Sequence, residues 1–382
     1  MDFALSADQE ALSELCRKFA VQEIGPRWPN ADANSEFPRE LLHRAASLNL
    51  LGLAIPVEHG GSGLGILEDV ILAEETARVN TNLSAALMLQ GALLPGLLTN
   101  FGTDDMAHRR VPKVLSGNSI LALGVTEPNA GSDVAAIATT AERNGDGWIL
   151  NGEKCFITLG GDADGILVLA KTVGTHVDGE MSLFLVDAPA EGLLVKKMDM
   201  IASRPIPTAQ LFFNNLRVPE DHRLNAGFRE VLNVFNKERV IVASRWVGHC
   251  AAMFEWALGY ATSRKQFGKR IGDFQSIAFE FADRQLEIEA ARLLVRRAAW
   301  TWDSGKPRDV VASASSFAKL AATRAAKSIS DFALHIGGGW ALVNDELPIA
   351  RMVIDSWVAP VAGGSFEVQK RIIARQLGLK PE

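Results

Sequence analysis

The chain has 382 residues, of which 48% are hydrophobic and 22% charged, and its formal net charge is −6. This length allows two or three structural units with a large core, and the composition is that of a globular protein. The small acidic excess gives no electrostatic reason to expect a nucleic-acid partner. No uninterrupted apolar run reaches the roughly 18 residues that span a bilayer, so we expect no membrane partner either.

The cysteines and histidines bear on the cellular compartment and on metal binding. Cys16, Cys155 and Cys250 are scattered without a CxxC pair, which is typical of free thiols in a reducing cytosol. The first residues, MDFALSADQEALSELC, lack the basic and apolar regions of a signal peptide, so we expect a cytoplasmic protein. The seven histidines show no paired metal spacing, so we expect no metal site built by the protein.

Residues 2–116 have the pattern of helices. In ADQEALSELCRKFAVQEI, apolar residues recur near helical spacing from Leu12 to Ile24. FPRELLHRAASLNL and ILEDVILAEETARV have the same character. The Ala- and Leu-rich residues 82–98 predict a buried helix.

The pattern changes to strands between residues 118 and 224. Short apolar or alternating runs, such as GILVLAKT and AQLFFNNLRV, are separated by Gly, Asp and Asn. They predict a compact β-domain. Within GWILNGEKCFITLG, the pair Asn151 and Gly152 predicts a hairpin turn, because Asn-Gly favours the tight turns of hairpins.

Helical periodicity returns after residue 227. The pattern predicts long helices over residues 274–302 and 310–336, separated by DSGKPRD, as in an antiparallel bundle. The predicted fold class is α+β, with an N-terminal helical domain (1–117), a middle β-domain (118–225) and a C-terminal four-helix bundle (226–382). An apolar stripe opens the last segment at Val240, Ala243, Val247, Cys250, Phe254, Leu258 and Ala261.

The stretch LGVTEPNAGSD, residues 123–133, is a candidate ligand loop. Small residues, a proline and hydroxyls stand together between predicted strands, so backbone NH and CO groups are free to face a ligand. The local chemistry alone is equally consistent with an ordinary loop of the β-domain.

Several motifs along the chain together resemble the acyl-CoA dehydrogenase family. They are PVEHGGSGLG from Pro56, VTEPNAGSDV from Val125, NGEKCFIT from Asn151, ERVIVA from Glu238, SRKQFGKRIGDFQ from Ser263, the glycines from Gly337, and GGSFEVQKRIIAR near the end. Their order and spacing match the family over essentially the whole chain. The resemblance implies FAD between the β-domain and the bundle, an acyl-CoA substrate, an electron-transfer flavoprotein as acceptor, and a homotetramer.

The resemblance also implies which residues hold FAD. The loop around Thr126 corresponds to the segment that meets the flavin ring system, and Phe156 stands where the family commonly has Trp. Arg264 and the pair Gly337 and Gly338 correspond to positions that contact FAD bound to a neighbouring subunit, and an Arg fork suits pyrophosphate oxygens. The full implied set is Leu123, Val125, Thr126, Ser132, Phe156, Ile157, Thr158, Arg264, Phe267, Gln275, Gly337, Gly338, Gly364 and Ser365. Candidate substrate-binding residues are Ser132, near the CoA portion, with Asn236 and Arg239.

The catalytic base is implied by a departure from the commonest family pattern. Many relatives have a Glu immediately before the GT or GS of the terminal loop, but here that position is Gly363. A minority, including isovaleryl- and long-chain-type enzymes, have the Glu on a bundle helix, and that position matches Glu238. Glu238 is then expected to remove the substrate α-proton, with its pKa raised by burial. The Gly363 NH and a flavin ribityl hydroxyl are expected to bind the thioester oxygen. A solvated acid in the first turn of a helix is the alternative interpretation of Glu238, and Glu367 is the next candidate base.

Three functions are compatible with these motifs. The first is α,β-dehydrogenation of an acyl-CoA, with the β-hydride passing to flavin N5, as in fatty acid metabolism. The second is a related flavin enzyme working as an enoyl-CoA reductase, as in crotonobetainyl-CoA reductase-like members, or on an acyl-carrier protein. The third is a catalytically silent binding member, which retention of Glu238, Arg239 and the FAD residues disfavours.

Overall fold

A computed structural model describes residues 4–174, 180–343 and 348–380. The chain divides into two compact units. A helical unit comprises Met1–Gly25, Ile66–Ala85 and Asn236–Glu382, and a sheet-containing unit comprises Pro26–Gly65 and Ala86–Phe235. These limits do not follow the predicted domain boundaries at residues 117 and 225, which stay a prediction.

The helices predicted for the N-terminal segment are present, in several short pieces. Ser6 caps the first helix in a capping box with Gln9, which satisfies two backbone amides at the helix start. Residues 82–98 are helical as predicted, with a π-helical turn, Leu89–Leu93, inside the stretch. The helices up to residue 115 are α1 Ala7–Phe19, α2 Trp28–Asn34, α3 Glu40–Ser47, α4 Ile66–Ala77, α5 Thr81–Met88, α6 Leu94–Phe101 and α7 Asp104–Leu115.

The apolar stretch Thr81–Phe101 is, in the described part of the chain, one helical segment long and apolar enough to cross a membrane. In its most apolar window, however, 89% of the residues are buried inside the structure. A core helix passes the same test of length and composition.

The sheet-containing unit is built on an eight-stranded sheet in which the described strands run in the order β6-β7-β3-β2-β4-β5-β8, with β1 paired to β4. The pairs β1–β4 and β2–β4 are parallel and the others antiparallel. The buried core includes Trp148, whose ring packs edge-on against Phe184. The strands are β1 Leu121–Gly124, β2 Thr140–Asn144, β3 Gly147–Thr158, β4 Gly165–Val173, β5 Met181–Asp187, β6 Leu193–Lys197, β7 Thr208–Pro219 and β8 Arg223–Leu224.

The hairpin turn predicted at Asn151 and Gly152 is wrong. Both residues lie inside the single strand β3, where the pairing with β7 shifts register at a bulge. Gly152 has a φ of 139°, and a Cβ there would meet Thr139 at 2.7–2.9 Å, so the glycine is needed for close packing. The turn lies one Asn-Gly pair earlier, where Asn144 pairs with Gly147.

The helical unit contains the predicted long helices. Its later elements are α8 Phe228–Ser263, the short strands β9 Lys265–Gln266 and β10 Lys269–Arg270, α9 Gln275–Asp303, α10 Arg308–Gly337, α11 Ile349–Ser356 and α12 Phe366–Gln376. Helix α10 packs against α9, α11 and α12, and α4 packs against α1 and α9. The predicted stripe on α8 is buried at both ends, at Val240 and Ala261, but Leu258 is exposed and Ala257 is buried in its place. The predicted stripe does not repeat at 3.6 residues throughout, so over the length of α8 some of its positions turn away from the buried face.

Candidate active site

A buried ion pair supports the candidate ligand loop in the sheet-containing unit. Lys154 is fully buried on β3, and its Nζ lies 2.7 Å from Glu127 Oε1 and donates to Val125 O at 3.1 Å. Glu127 also accepts hydrogen bonds from the amides of Ala138 and Thr139. Burial raises the pKa of Glu127, but these hydrogen bonds outweigh it, so its pKa lies below the usual value. The TEP and GEK motifs therefore belong to one charged anchor.

The anchor fixes the loop against a bulge in β3. The amide of Cys155 donates to Thr126 O, and the register of β3 against β7 shifts between Lys154 and Ile157. Within this bulge Phe156 has a φ of 58°, which is unusual for a non-glycine residue, and its side chain is 57% exposed. Strained, exposed aromatic residues of this kind are found at functional sites.

The other candidate flavin residues of this unit differ in exposure. Thr126, Leu123 and Thr158 are half-buried, and Ser132 is exposed. Val125 and Ile157 are buried in the unit itself, so they can offer a ligand their backbone groups rather than their side chains. The sequence did not distinguish these cases.

An open cavity of about 560 Å³ in the helical unit contains several of the predicted FAD residues. Arg264 follows the last residue of α8 and is exposed at this cavity. Gly338 has a φ of 57°, and nothing lies within 4 Å of a Cβ built on Gly338 or Gly339. The lining residues are Tyr260, Arg264, Gln266, Ile271, Ile336, Gly337, Gly338, Gly339, Trp340 and Val343.

Three other predicted FAD residues near this cavity differ in their surroundings. Gly337 is buried, and a Cβ there would come within 2.6 Å of the Trp256 ring, so this glycine permits helix packing. Phe267 is 94% exposed with a φ of 50°. Gln275 is exposed at the first position of α9.

These residues fit FAD. A guanidinium beside bare glycine backbone can pair with the oxygens of a pyrophosphate while a flat, extended group approaches closely. The exposed Phe156 ring and the anchored loop at Thr126 offer an apolar face and polar groups of the kind that a flavin ring system requires. The fit to FAD holds separately for the residues of the helical unit and for those of the sheet-containing unit.

Glu238 lies near the start of α8 and is half-buried. None of the hydrogen bonds or ion pairs among the described residues involves its carboxylate. Burial raises the pKa of Glu238, against the charges of Arg239, Lys319 and Arg245. The direction is the one expected from the sequence.

The terminal loop approaches the helix that carries Glu238. A Cβ on Gly363 would lie 3.7 Å from Val242 Cγ1 and 3.9 Å from Lys319 Cε. Val242 is one turn beyond Glu238 on the same face of α8, because residues four apart stack on a helix. The structure thus places Gly363 against α8 one helical turn from Glu238, the two positions at which the family is expected to carry its acid.

The remaining predicted residues of the loop and helix have structural partners. Gly364 has a φ of 90° and its carbonyl accepts from Lys319 Nζ, while Ser365 caps α12. Arg239 is buried and donates to Asn236 Oδ1 at 2.6 Å. Burial lowers the pKa of Arg239, although Glu238 opposes this.

Sequence reasoning missed four buried charged groups near these sites. They are Glu127, Lys154, Lys319 and Arg245. Arg245 donates to Thr81 O, and burial lowers its pKa to about 10. Charged residues at apolar helix or strand positions were the available signal, because a charge is rarely buried without a function or a partner. Within the described residues, no group of three or more His, Cys, Asp or Glu side chains could hold a metal ion.

Three family models match the chain in succession. They are the N-terminal domain (residues 6–118), the middle domain (122–216) and the C-terminal domain (225–378) of acyl-CoA dehydrogenases. The chain is 34% identical to the probable acyl-CoA dehydrogenase YngJ of Bacillus subtilis, over 99% of this chain and 100% of the relative. It is 35% identical to a 3-(aryl)acrylate reductase of Clostridium sporogenes, over 96% and 98%. The structure of butyryl-CoA dehydrogenase from Megasphaera elsdenii matches with a TM-score of 0.93 at 30% identity, over 99% and 100%.

The fold and the site define an FAD-dependent oxidoreductase with a helical N-terminal domain, a β-domain and a helical C-terminal domain. The chain belongs to the acyl-CoA dehydrogenase family. The fold class, the enzyme class and the cofactor predicted from the sequence are confirmed. The roles of individual residues stay predictions.

Proposed function

We propose that the chain dehydrogenates an acyl-CoA thioester between Cα and Cβ, with Glu238 as the base that removes the α-proton. The observation that carries this proposal is the position of Glu238 one helical turn from Val242, against which the terminal loop places Gly363. A base on the helix can serve the same substrate carbon as an acid on the loop, because only the carboxylate has to reach it.

The surroundings of Glu238 suit a general base. Its carboxylate is not committed to a hydrogen bond or ion pair among the described residues, so it can accept a proton. Burial raises its pKa and so strengthens it as a base, while three nearby cations keep the ionised form accessible. A base works best when its pKa lies near the operating pH.

The loop supplies the second part of the reaction. We assign the Gly363 amide to the thioester oxygen, where an NH donor stabilises the negative charge that develops as the α-proton leaves. Gly363 has a φ of 67°, a backbone conformation that glycine adopts without strain because it has no side chain. Bound FAD supplies the hydride acceptor, held by the flavin-binding residues named above. Ser132, Asn236 and Arg239 are assigned to the acyl-CoA.

Glu238→Gln tests the base, with Glu367→Gln as the matched control. Glu367 is the exposed acid in the first turn of α12, just after the terminal loop, and it pairs with Lys370 at 3.6 Å. We expect Glu238→Gln to keep FAD and to bind acyl-CoA but to lose about 10²–10⁴-fold in turnover, the scale of general-base catalysis. Glu367→Gln should turn over at the wild-type rate. Near-native turnover by Glu238→Gln would refute the proposal.

Moving the acid provides a geometric test. Gly363→Glu in a Glu238→Gly background should restore part of the lost activity. A Cβ at 363 makes ordinary contacts with Val242 and Lys319, but the φ of 67° strains a non-glycine residue and limits the recovery. Placing the same Glu at Ala362 is the control, since only position 363 corresponds to the acid position of the family. Equal activity of both variants would show that the acid does not act from a defined position.

A reductase is the second candidate, favoured by the similarity to the 3-(aryl)acrylate reductase. The same residues would then deliver a proton to Cα of an enoyl thioester, and an acyl-carrier protein could replace CoA as the carrier. Rapid mixing distinguishes the directions: oxidised enzyme with acyl-CoA against dithionite-reduced enzyme with enoyl-CoA. A protein whose flavin spectrum changes with neither would be a silent binding member.

We assign the chain to a homotetramer, a dimer of dimers, and one of its two kinds of interface to an exposed face of α9. Helix α9 exposes four large apolar side chains at intervals of seven residues, the spacing of a helix–helix seam. They are Phe279, Leu286, Leu293 and Trp300, with exposed fractions of 47–67%. The occupant we assign to this face is α9 of a second copy, and we assign Arg264 of one subunit to the FAD of another.

Leu286→Glu tests this assembly. A charge in the seam should split the oligomer, measured by light scattering after size exclusion, and should lower FAD content because the cofactor contact is shared. Leu194→Glu is the control, since Leu194 is equally exposed in the sheet-containing unit. A wild-type chain that is monomeric yet retains FAD would contradict the assignment.

The electron acceptor and the location complete the proposal. We assign an electron-transfer flavoprotein as acceptor, with Phe156 at the approach, and Phe156→Trp should change the reoxidation rate without changing flavin reduction. Three buried free thiols are consistent with a reducing cytoplasm. Fractionation of cells producing the full chain checks the location.

A further inference from the structure

Lys319, on α10, is a fully buried lysine with no acidic partner at ion-pair distance among the described residues. Its Nζ donates to Gly364 O at 2.5 Å and to Ala359 O at 3.2 Å. A buried ammonium is stabilised only if its hydrogen bonds are made. Here the acceptors are two carbonyls of the segment that joins α11 to α12.

These two hydrogen bonds fix the loop that contains Gly363. Gly363 and Gly364 both have positive φ and have no side chains to restrain them. Gln369 Nε2 also donates to Gly364 O, at 3.3 Å. The carbonyls at 359 and 364 enclose the turn, so the ammonium sets the orientation of the peptide groups between them. Lys319 Cε lies 3.9 Å from the position of a Gly363 Cβ.

The same lysine acts electrostatically on Glu238. Its charge favours the ionised carboxylate, together with Arg239 and Arg245 on the helix of Glu238 itself. Lys319 approaches from α10 and is at the same time bonded to the loop. It is therefore the one group in this described cluster that contacts the loop and also influences the acid.

We propose that Lys319 is a positioning residue, which orients the Gly363 peptide toward the substrate and stabilises the Glu238 carboxylate. This rests on the proposed role of Glu238 as base. Lys319 touches neither the reacting atoms nor the substrate in this scheme. Its effect passes through the backbone of the loop and through the charge on the acid.

The test compares Lys319→Met and Lys319→Arg with Lys327→Met in the full-length holoprotein. Lys327 is an exposed lysine on the same helix and controls for loss of a charge. Hydrogen exchange of the amides between residues 358 and 366 is the first readout, since it does not depend on activity. We expect exchange there to rise about tenfold in Lys319→Met, and to stay at the wild-type level in Lys327→Met.

The second readout is the pH dependence of flavin reduction by an acyl-CoA that the wild type oxidises. In Lys319→Met, the acid limb should move upward by roughly 1 pH unit, because the carboxylate loses a nearby cation. The maximal rate should fall roughly 10- to 100-fold through misplacement of the loop, with KM little changed. Lys319→Arg should restore the acid limb but only part of the rate.

The outcomes separate this inference from the proposed function. Unchanged exchange, or an acid limb that does not move, overturns the role of Lys319. If Lys319→Met does not fold, Lys319→Gln supplies a neutral side chain with amide donors, and the same two readouts decide. The exchange effect should persist in a Glu238→Gln background, so failure of Glu238 as base leaves the loop measurement interpretable.

Discussion

The two units each contain a fully buried lysine that contacts a candidate functional loop, and the two lysines have different hydrogen-bond partners. Lys154 pairs with a buried carboxylate, Glu127, as well as with a carbonyl. Lys319 pairs with two carbonyls and has its acid, Glu238, only as a neighbouring charge. Both lysines hold a loop, but Glu127 is committed to its lysine, whereas Glu238 has no hydrogen bond or ion pair among the described residues.

The pKa directions reflect this difference. Burial lowers the pKa of Lys154, and Glu127 opposes the shift. Burial lowers the pKa of Lys319 to about 8, with Glu238 opposing and the two arginines assisting. A third arrangement lies between them: Lys237 and the buried Asp69 are 3.7 Å apart, beyond hydrogen-bond distance.

The largest effect on stability is expected from breaking the buried ion pair of Lys154 and Glu127. Lys154→Met leaves the Glu127 charge buried without its partner, so the free energy of unfolding should fall by about 3–5 kcal/mol. Urea denaturation followed by circular dichroism measures it, with the exposed Lys196 of the same sheet as control, changed to Met. Adding Glu127→Gln should recover part of the loss. A small effect of Lys154→Met would contradict a stabilising role for the buried ion pair.

A smaller effect, with a distinct pH dependence, is expected for Lys319. Its folded-state pKa of about 8 lies below the usual 10.5, so the unfolded state binds more protons between these values. The free energy of unfolding should therefore rise as the pH increases from 8 to 10, by on the order of 2 kcal/mol. Lys319→Met should lack this rise and Lys327→Met should retain it. Parallel curves for wild type and Lys319→Met would contradict the prediction.

The smallest effect concerns the incompletely paired Asp69. Burial raises its pKa to about 6 from the usual 3.8, although Lys237 opposes this. The folded state binds more protons between these values, so stability should fall as the pH rises from 4 to 6, by on the order of 2 kcal/mol. Thermal unfolding of Asp69→Asn should lack this slope. The exposed Glu14, on α1, changed to Gln is the control that should preserve it.

The long helices could be predicted from the sequence because their apolar period is local. The predicted spans 274–302 and 310–336 lie within one to two residues of α9 and α10. The Asn-Gly hairpin prediction failed because two such pairs lie seven residues apart. Which pair forms the turn depends on how β3 pairs with β2 and β7. Strand pairing is non-local and carries no signature in a short window.

Candidate site residues could be proposed from the sequence where a single motif position suffices, but not where two residues far apart in the chain combine. The candidate base and the glycines came from motif positions. The Lys154 anchor joins residues 27 positions apart, and Lys319 reaches a loop 45 positions away. Neither distance has a sequence pattern. The buried state of Ile157 was also missed, because a bulge changes which side chains of β3 face outward.

The length of α8 has a consequence for the proposed assembly. This single helix of 36 residues carries Glu238 in its first third and ends immediately before Arg264. At 1.5 Å per residue, about 38 Å of rigid rod separates Glu238 from the end of the helix. The residue assigned to proton removal and the residue assigned to a neighbour's cofactor thus move as one body. Under the proposed assembly, loading of one subunit with FAD is mechanically coupled to the acid of its neighbour.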